Sequence, residues 1–312
     1  MNPRKLFLIG IAVVVASFPL RAVENAVGRT LPGVWVMPQG GVVPKQAGLT
    51  FTLMPVGYLG EIGGQAPIAG ILAANVSARI SENLLIPQFV YKTEFQKVNF
   101  SSAFYLPVNW QAATGFIQLN EFTRSRTDVS RGLADVFFSP LTVGIHFSEN
   151  NNLAIDTKIW APTGAFKTGD LSNLGMNVWT IQPNLAHTLL WKKRGIEVDN
   201  YVSFDIYSRN PATHYKSGVV FSWQAMLLQY LSERFGFGAI VSNVTQITDD
   251  SGPLANRLNG FRGRAWAAGP VLLYVAKPKD PGVTLQLRYV PEFTVTNFTK
   301  GYTLLFGVTL RM

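Results

Sequence analysis

Ile196-Glu197-Val198-Asp199-Asn200-Tyr201-Val202-Ser203-Phe204-Asp205-Ile206 sets apolar against polar side chains at nearly every step. A period of two belongs to a β-strand lying between two unlike surroundings. The alternation returns in Leu153-Ala154-Ile155-Asp156-Thr157-Lys158-Ile159 and in Val283-Thr284-Leu285-Gln286-Leu287-Arg288-Tyr289. It returns again where Tyr302, Leu304, Phe306, Val308 and Leu310 are spaced by Thr303, Gly307, Thr309 and Arg311. Many strands of this kind in one chain point to an all-β fold with a closed antiparallel sheet.

Working outward, Arg4 and Lys5 precede the apolar run Leu6 to Leu20, and the small residue Ala22 follows. That is the layout of a secretory signal peptide. The run is shorter than the roughly 20 apolar residues of a spanning helix, and Pro19 breaks it, so residues 1–22 read as a cleaved signal rather than a retained anchor. Every later apolar stretch is interrupted by charges, Gly, Pro or amides within about a dozen residues, which leaves no convincing transmembrane helix. An exported chain of this type either stays soluble or enters a membrane as a barrel.

Composition favours the barrel. The chain is 47% hydrophobic and 14% charged, against roughly 25% charged for an average soluble domain. It has no cysteine, which excludes a disulfide framework and suits a fold held by a closed hydrogen-bond ladder. The formal charge of +9 falls when Arg4, Lys5 and Arg21 leave with the signal. The remaining excess is modest and sits in loops such as Trp191-Lys192-Lys193-Arg194 and Lys277-Pro278-Lys279. That pattern reads as a solvated rim, with no nucleic-acid partner.

Outer-membrane barrels pair short periplasmic turns with longer outer loops. Short polar punctuation falls at Ser81-Glu82-Asn83, Asn109 to Ala112, Ser148 to Asn152, Trp191 to Gly195, Ser232 to Arg234 and Lys277 to Gly282. Longer Gly-, Pro- and Thr-rich stretches are Gly60 to Gly70, Asn120 to Arg131, Pro162 to Asn177, Ser208 to Lys216 and Thr248 to Gly260. Strands placed between them predict one barrel over residues 49–312, with 14 strands as the best count and 12 as the alternative. The span 132–147 is the weak one, because Ser139-Pro140 interrupts it. Residues 23–48 hold Gly28, Pro32, Gly33, Pro38, Gly40, Gly41 and Pro44 without a clean period. They read as an irregular lead-in or a plug.

Trp110, Trp160, Trp179, Trp191, Tyr58, Tyr91, Tyr105 and Tyr207 fall near predicted strand ends, where a membrane interface favours amphipathic rings; a tunnel lining is the alternative. Motifs of catalysis are lacking. His146, His187 and His214 have no second histidine or carboxylate at metal-ligand spacing, and no G-x-S-x-G elbow occurs. No metal, cofactor or enzymatic activity is expected. Asp249-Asp250-Ser251-Gly252 reads as an exposed turn before it reads as a calcium loop.

If Ile196, Val198, Val202, Phe204 and Ile206 face lipid, then Glu197, Asp199, Tyr201, Ser203, Asp205 and Tyr207 face the lumen. The same parity turns Ala154, Asp156, Lys158 and Trp160 inward. Asp156, Lys158, Trp160, Glu197, Asp199, Tyr201 and Asp205 are therefore the candidate solute path. A lumen tied shut by salt bridges is the competing reading.

Three blocks also carry a resemblance: Arg131-Gly132-Leu133-Ala134-Asp135-Val136-Phe137-Phe138-Ser139-Pro140-Leu141-Thr142-Val143-Gly144-Ile145-His146, then Trp160-Ala161-Pro162-Thr163-Gly164-Ala165-Phe166, then Asn173-Leu174-Gly175-Met176-Asn177-Val178-Trp179-Thr180-Ile181-Gln182-Pro183. In that order they resemble the outer-membrane family described as involved in the meta pathway of phenol degradation, with Asp135, Pro140, Pro162, Thr163, Gly164, Asn177, Trp179 and Pro183 as the motif positions. The resemblance implies a Gram-negative outer-membrane barrel, in contact with membrane lipid, that moves small hydrophobic or aromatic solutes inward and depends on barrel-assembly machinery for insertion. It brings no catalytic residues. Met312 departs from the terminal aromatic usual in such barrels. A structural or receptor-like barrel with a closed lumen is the other class in play.

Overall fold

The computed structural model describes residue 24 and residues 28–119, 122–277 and 282–311. The expected signal, residues 1–22, and Met312 lie outside them. The described residues form thirteen antiparallel strands: β1 Gly48–Ile68, β2 Ile71–Val90, β3 Val98–Leu119, β4 Phe122–Leu133, β5 Phe137–Ser148, β6 Asn151–Trp160, β7 Thr180–Trp191, β8 Ile196–Tyr207, β9 Val220–Tyr230, β10 Phe235–Gln246, β11 Arg264–Lys277, β12 Val283–Thr296 and β13 Lys300–Arg311. Neighbours in sequence pair in space, except that β3 pairs with β5 past β4, until β1 meets β13, with Val56 opposite Leu305, and the ring closes. Twelve strands make the ring. β4 stands outside it, paired only to the upper half of β3.

The expected count of 14 is thus corrected, and the reason lies in β1 to β3. Ser81-Glu82-Asn83 and Asn109 to Ala112 are not turns but the middles of β2 and β3. Glu82 lies opposite Asn109 in the ladder, and the Asn109 amide donates to it at 3.2 Å. Glu82 and Asn109 serve the lumen side of unbroken strands, while Ser81 and Asn83 face outward. The predicted loop Gly60 to Gly70 is likewise mostly strand. Its real turn is Ala69-Gly70, where both φ angles are positive (44° and 86°), as in the two-residue turn that suits hairpin twist. The predicted loop Asn120 to Arg131 mostly forms β4. The span 132–147 breaks at residues 134–136, and β5 carries a register shift between Phe138 and Thr142 around Pro140.

Strand length sets the shape. β6, at 10 residues, matches the roughly 9–11 that cross a bilayer. β1, β2 and β3, at 21, 20 and 22 residues, rise past the rest of the rim. The alternating pattern turns Leu185, Phe204, Leu227, Phe237, Leu272, Leu287, Leu304 and Phe306 outward as exposed side chains. An apolar exterior around a polar interior is the arrangement a lipid-embedded barrel requires. Loops 161–179, 208–219 and 247–263 gather at the end away from Gly48 and Arg311. There Leu171, Val178, Phe261 and Phe298 pack with Ile62, Ile68 and Val76 into an apolar cap.

Candidate functional site

The lumen is occupied by the chain itself. Glu24 lies among the long loops, where its backbone N–H donates to Ser217 Oγ and its carboxylate accepts from Asn210 Nδ2. Further down, Arg29 donates to Asp135 at 2.7 Å, and Thr30 donates to Asp205 at 3.0 Å. The N–H groups of Trp35 and Val36 both donate to Gln224 Oε1. Gln39 N donates to Glu197 at 2.7 Å, and Gly41 N to Thr188 Oγ1 at 3.0 Å. Val43 packs on Val90 and Ala154 near the far end. Irregular backbone inside a barrel must find its partners on the wall, and these side chains supply them.

Each predicted lumen residue can now be placed. Glu197, Asp199, Tyr201 and Asp205 are buried on the inner face of β8. Glu197 and Asp205 hold the N-terminal segment through Gln39 and Thr30. Asp199 accepts from Thr188 Oγ1, and Tyr201 Oη donates to Asn184 and to Gln182. Lys158 donates to Tyr201 Oη at 3.2 Å, and Asp156 accepts from Ser139 Oγ. Trp160 stacks on Phe137, ring centroids 4.3 Å apart, and Phe137 stacks on Tyr105 at the same separation. The rings expected near the interfaces divide accordingly. Trp110, Trp179, Trp191 and Tyr91 are exposed, whereas Trp160, Tyr58, Tyr105 and Tyr207 turn inward.

Asp135, Thr163 and Gly164, three of the motif positions, meet where β4 gives way to β5. The Asp135 carboxylate accepts from Arg29, from Gly164 N at 2.8 Å and from Met176 N at 2.9 Å. Thr163 Oγ1 accepts from Val136 N, clamping the loop after Pro162 to the same junction. Gly164 lies against Gly175, and a Cβ there would strike the facing backbone at 2.7 Å. Asn177, at φ 57°, donates to Asn210. Pro183 sits in β7 opposite Thr157, and Pro140 marks the β5 bulge.

Beneath this junction lies a cavity of about 190 Å³, bounded by Arg29, Leu31, Val34 and Trp35 of the segment, by Val56, Ile80, Glu82 and Asn109 of the wall, by Phe137 and Trp160, and by residues 171–176 of the loop. A dry cavity of roughly 150 Å³ accepts a benzene ring. The space is of one-ring size, but its lining is not dry: Arg29, Glu82, Asn109, Gln111 and Asp135 face it alongside the rings.

At the loop end, Asp250 accepts from Gly218 N and from Gln246 Nε2 and Tyr215 Oη. Burial pushes its carboxyl up to about 7 and raises the Tyr215 phenol. Burial also raises Glu24. Asp250 is therefore not part of the exposed turn expected of residues 249–252, although Asp249 is exposed and pairs with Arg262 at 2.7 Å. His146 sits between Asn152 and Asn99, and His187 meets Asn151. Among the described residues no His, Cys, Asp or Glu cluster could hold a metal.

Sequence reading missed Arg29, Trp35, Gln224 and Arg288. Arg288 is fully buried and donates to Gly33 O at 2.9 Å. Its inward parity in Val283 to Tyr289 was a readable signal. So was the apolar run Val34-Trp35-Val36-Met37, too greasy for a solvated leader.

A family model described as "Putative MetA-pathway of phenol degradation" matches residues 65–307. The chain belongs to that family. Among solved structures, an outer membrane channel from Pseudomonas putida F1 is similar at TM-score 0.66 and 15% identity, over 91% of this chain and 100% of that one, which shows a shared fold. A FadL homologue from Pseudomonas aeruginosa superposes more loosely, at TM-score 0.43 and 8% identity over 95% of this chain and 98% of that one. No curated protein sequence matches the chain. With its closed ring and apolar exterior, this family member is a bacterial outer-membrane barrel.

Proposed function

We propose that the protein is a passive, non-enzymatic channel for small hydrophobic or aromatic compounds crossing the outer membrane. The observation that carries this reading is the cavity of about 190 Å³ beneath the β4–β5 junction. Trp35, Phe137 and Trp160 offer ring contacts, and Arg29, Glu82, Asn109, Gln111 and Asp135 supply polar groups, a mixture suited to a small ring with a polar substituent. Asp156, Lys158, Trp160, Glu197, Asp199, Tyr201 and Asp205 are the proposed continuation of the path below it. The relative from Pseudomonas putida F1 bears the name of an outer membrane channel, which agrees with this reading.

The test is uptake of a radiolabelled ionised aromatic, such as toluate, into proteoliposomes of the refolded protein against empty liposomes, with conductance recorded in parallel. Saturable uptake above the control supports the channel. The lumen-filling segment, held from Glu24 to Gly41, favours a second reading, a structural or receptor barrel with a closed lumen. No uptake and no conductance from folded protein would select that reading.

A further inference from the structure

Trp35 is a partition. One side of its indole closes the cavity beneath the β4–β5 junction, beside Phe137 and Trp160. On another side stands the Lys158 ammonium, 5.1 Å from the ring centroid. The indole meets Tyr105, Phe137 and Trp160 edge to face, at centroid distances of 6.2, 5.8 and 6.3 Å. These three rings shape a slot for one more aromatic ring, and in this structure the chain supplies that ring itself.

The hold on the indole is weak in polar terms. Around Trp35 the segment is fastened through backbone groups, namely Trp35 N and Val36 N to Gln224 and Gly33 O to Arg288. The indole Nε1–H is buried and has no hydrogen-bond partner among the described residues. Lys158 is also under-used. It is 5% exposed, its one hydrogen bond among the described residues goes to Tyr201 Oη, and the rings of Tyr201 and Tyr105 stand 5.1 and 6.0 Å away. Lys158 forms an ion pair with Asp156 at 3.9 Å, beyond hydrogen-bond length, and Asp156 also accepts from Ser139 Oγ, which leaves donors of the ammonium unengaged. A desolvated ammonium with free donors binds a carboxylate or phenolate far more strongly than it binds a ring face.

We infer that the slot filled by Trp35 is a binding site for one-ring aromatic anions, which exchange with the indole and place their charged group on Lys158. The inference rests on the proposed channel only in taking the cavity as the way in. A neutral ring of the same size gains the stacking without the ion pair. The site therefore prefers benzoate to benzyl alcohol.

The test is equilibrium dialysis of radiolabelled benzoate and benzyl alcohol against folded protein, with heat-modifiable migration as the folding check. Trp35→Ala should bind one benzoate per chain at least tenfold more tightly than the unaltered protein. Adding Lys158→Met should remove at least tenfold of that benzoate affinity and leave benzyl alcohol within twofold. Adding Lys158→Arg instead should retain benzoate binding. Trp35→Leu, which keeps apolar bulk on the segment, repeats the comparison if the alanine variant misfolds. Benzoate binding no tighter in either Trp35 variant, or unchanged by Lys158→Met, would overturn the inference. Proteoliposome flux is a separate readout: benzoate bound but not carried would leave the site standing and overturn the channel.

Discussion

Asp135→Ala should release the cover of the barrel without unfolding its wall. The carboxylate is 1% exposed and receives three donors, the Arg29 guanidinium at 2.7 Å, Gly164 N at 2.8 Å and Met176 N at 2.9 Å. Removing it takes the counter-charge from a guanidinium that is itself only 8% exposed and keeps only Thr180 Oγ1 and Val178 O as acceptors, and it orphans two backbone N–H groups. Breaking a buried ion pair by deleting one partner costs about 3–5 kcal/mol. Each orphaned buried N–H adds roughly 1–3 kcal/mol where water cannot reach it. The loop end is open enough to relax, so about 3–5 kcal/mol is a fair total, which amounts to a hundredfold to several thousandfold in a local opening equilibrium. Hydrogen exchange followed by mass spectrometry on peptides covering 162–177 and 28–35 should accelerate by that factor. Peptides from β8 to β11 should not change. Equal protection of residues 162–177 in the variant and the unaltered protein would refute the claim that Asp135 ties the loop to the segment.

Three further outcomes follow from the same contacts. Arg288→Met leaves the Gly33 carbonyl without its donor, a cost of about 1–3 kcal/mol, and should raise ion conductance across planar bilayers; unchanged conductance would mean the segment is anchored elsewhere. Burial lifts Asp250 from an ordinary 3.8 to about 7, so the closed loops bind that proton more tightly than opened ones. Their stability is full below the ordinary value and falls as pH rises towards 7. Proteolysis of loop 247–263 should therefore speed up from pH 5 to pH 8, and Asp250→Asn should remove most of that dependence, with Glu24 supplying the rest. Brominated lipid should quench the exposed Trp110, Trp179 and Trp191 in single-tryptophan variants and spare the buried Trp160; quenching of Trp160 would invert the inside and outside of β6.

Legibility followed hydrogen-bond geometry. From β6 to β13 the alternation and the turn residues locate each strand to within a few positions, because each of these strands is a single crossing with lipid on one side. β8, read as 196–207 from Ile196 onward, is Ile196–Tyr207 in the structure. β1 to β3 were harder. They continue past the bilayer, and lumen pairs such as Glu82 and Asn109 imitate turn composition. β4 was hidden because Thr123-Arg124-Ser125-Arg126-Thr127-Asp128 is polar at every position, as a strand outside the ring and above the lipid can be. The inward parity of Glu197, Asp199, Tyr201 and Asp205 was readable. Their partners Thr30 and Gln39 were not, because local sequence carries no trace of contacts formed across 150 residues or more, such as Thr30 with Asp205.

The path of the N-terminal segment also constrains how the molecule can be made. Its contacts run from Glu24 among the outer loops to Val43 beside Val90, so all twelve strands of the ring encircle it. A ring sealed first would have to draw that stretch past Arg288, Gln224 and Glu197, breaking and remaking each bond on the way. Sealing last encloses it at no such cost. The seam between β1 and β13 joins residues such as Thr50 and Arg311, and it cannot form until nearly the whole chain has been delivered. Contacts of such long sequence separation are slow to find. Insertion therefore ends with a slow zippering step that locks an already threaded strap.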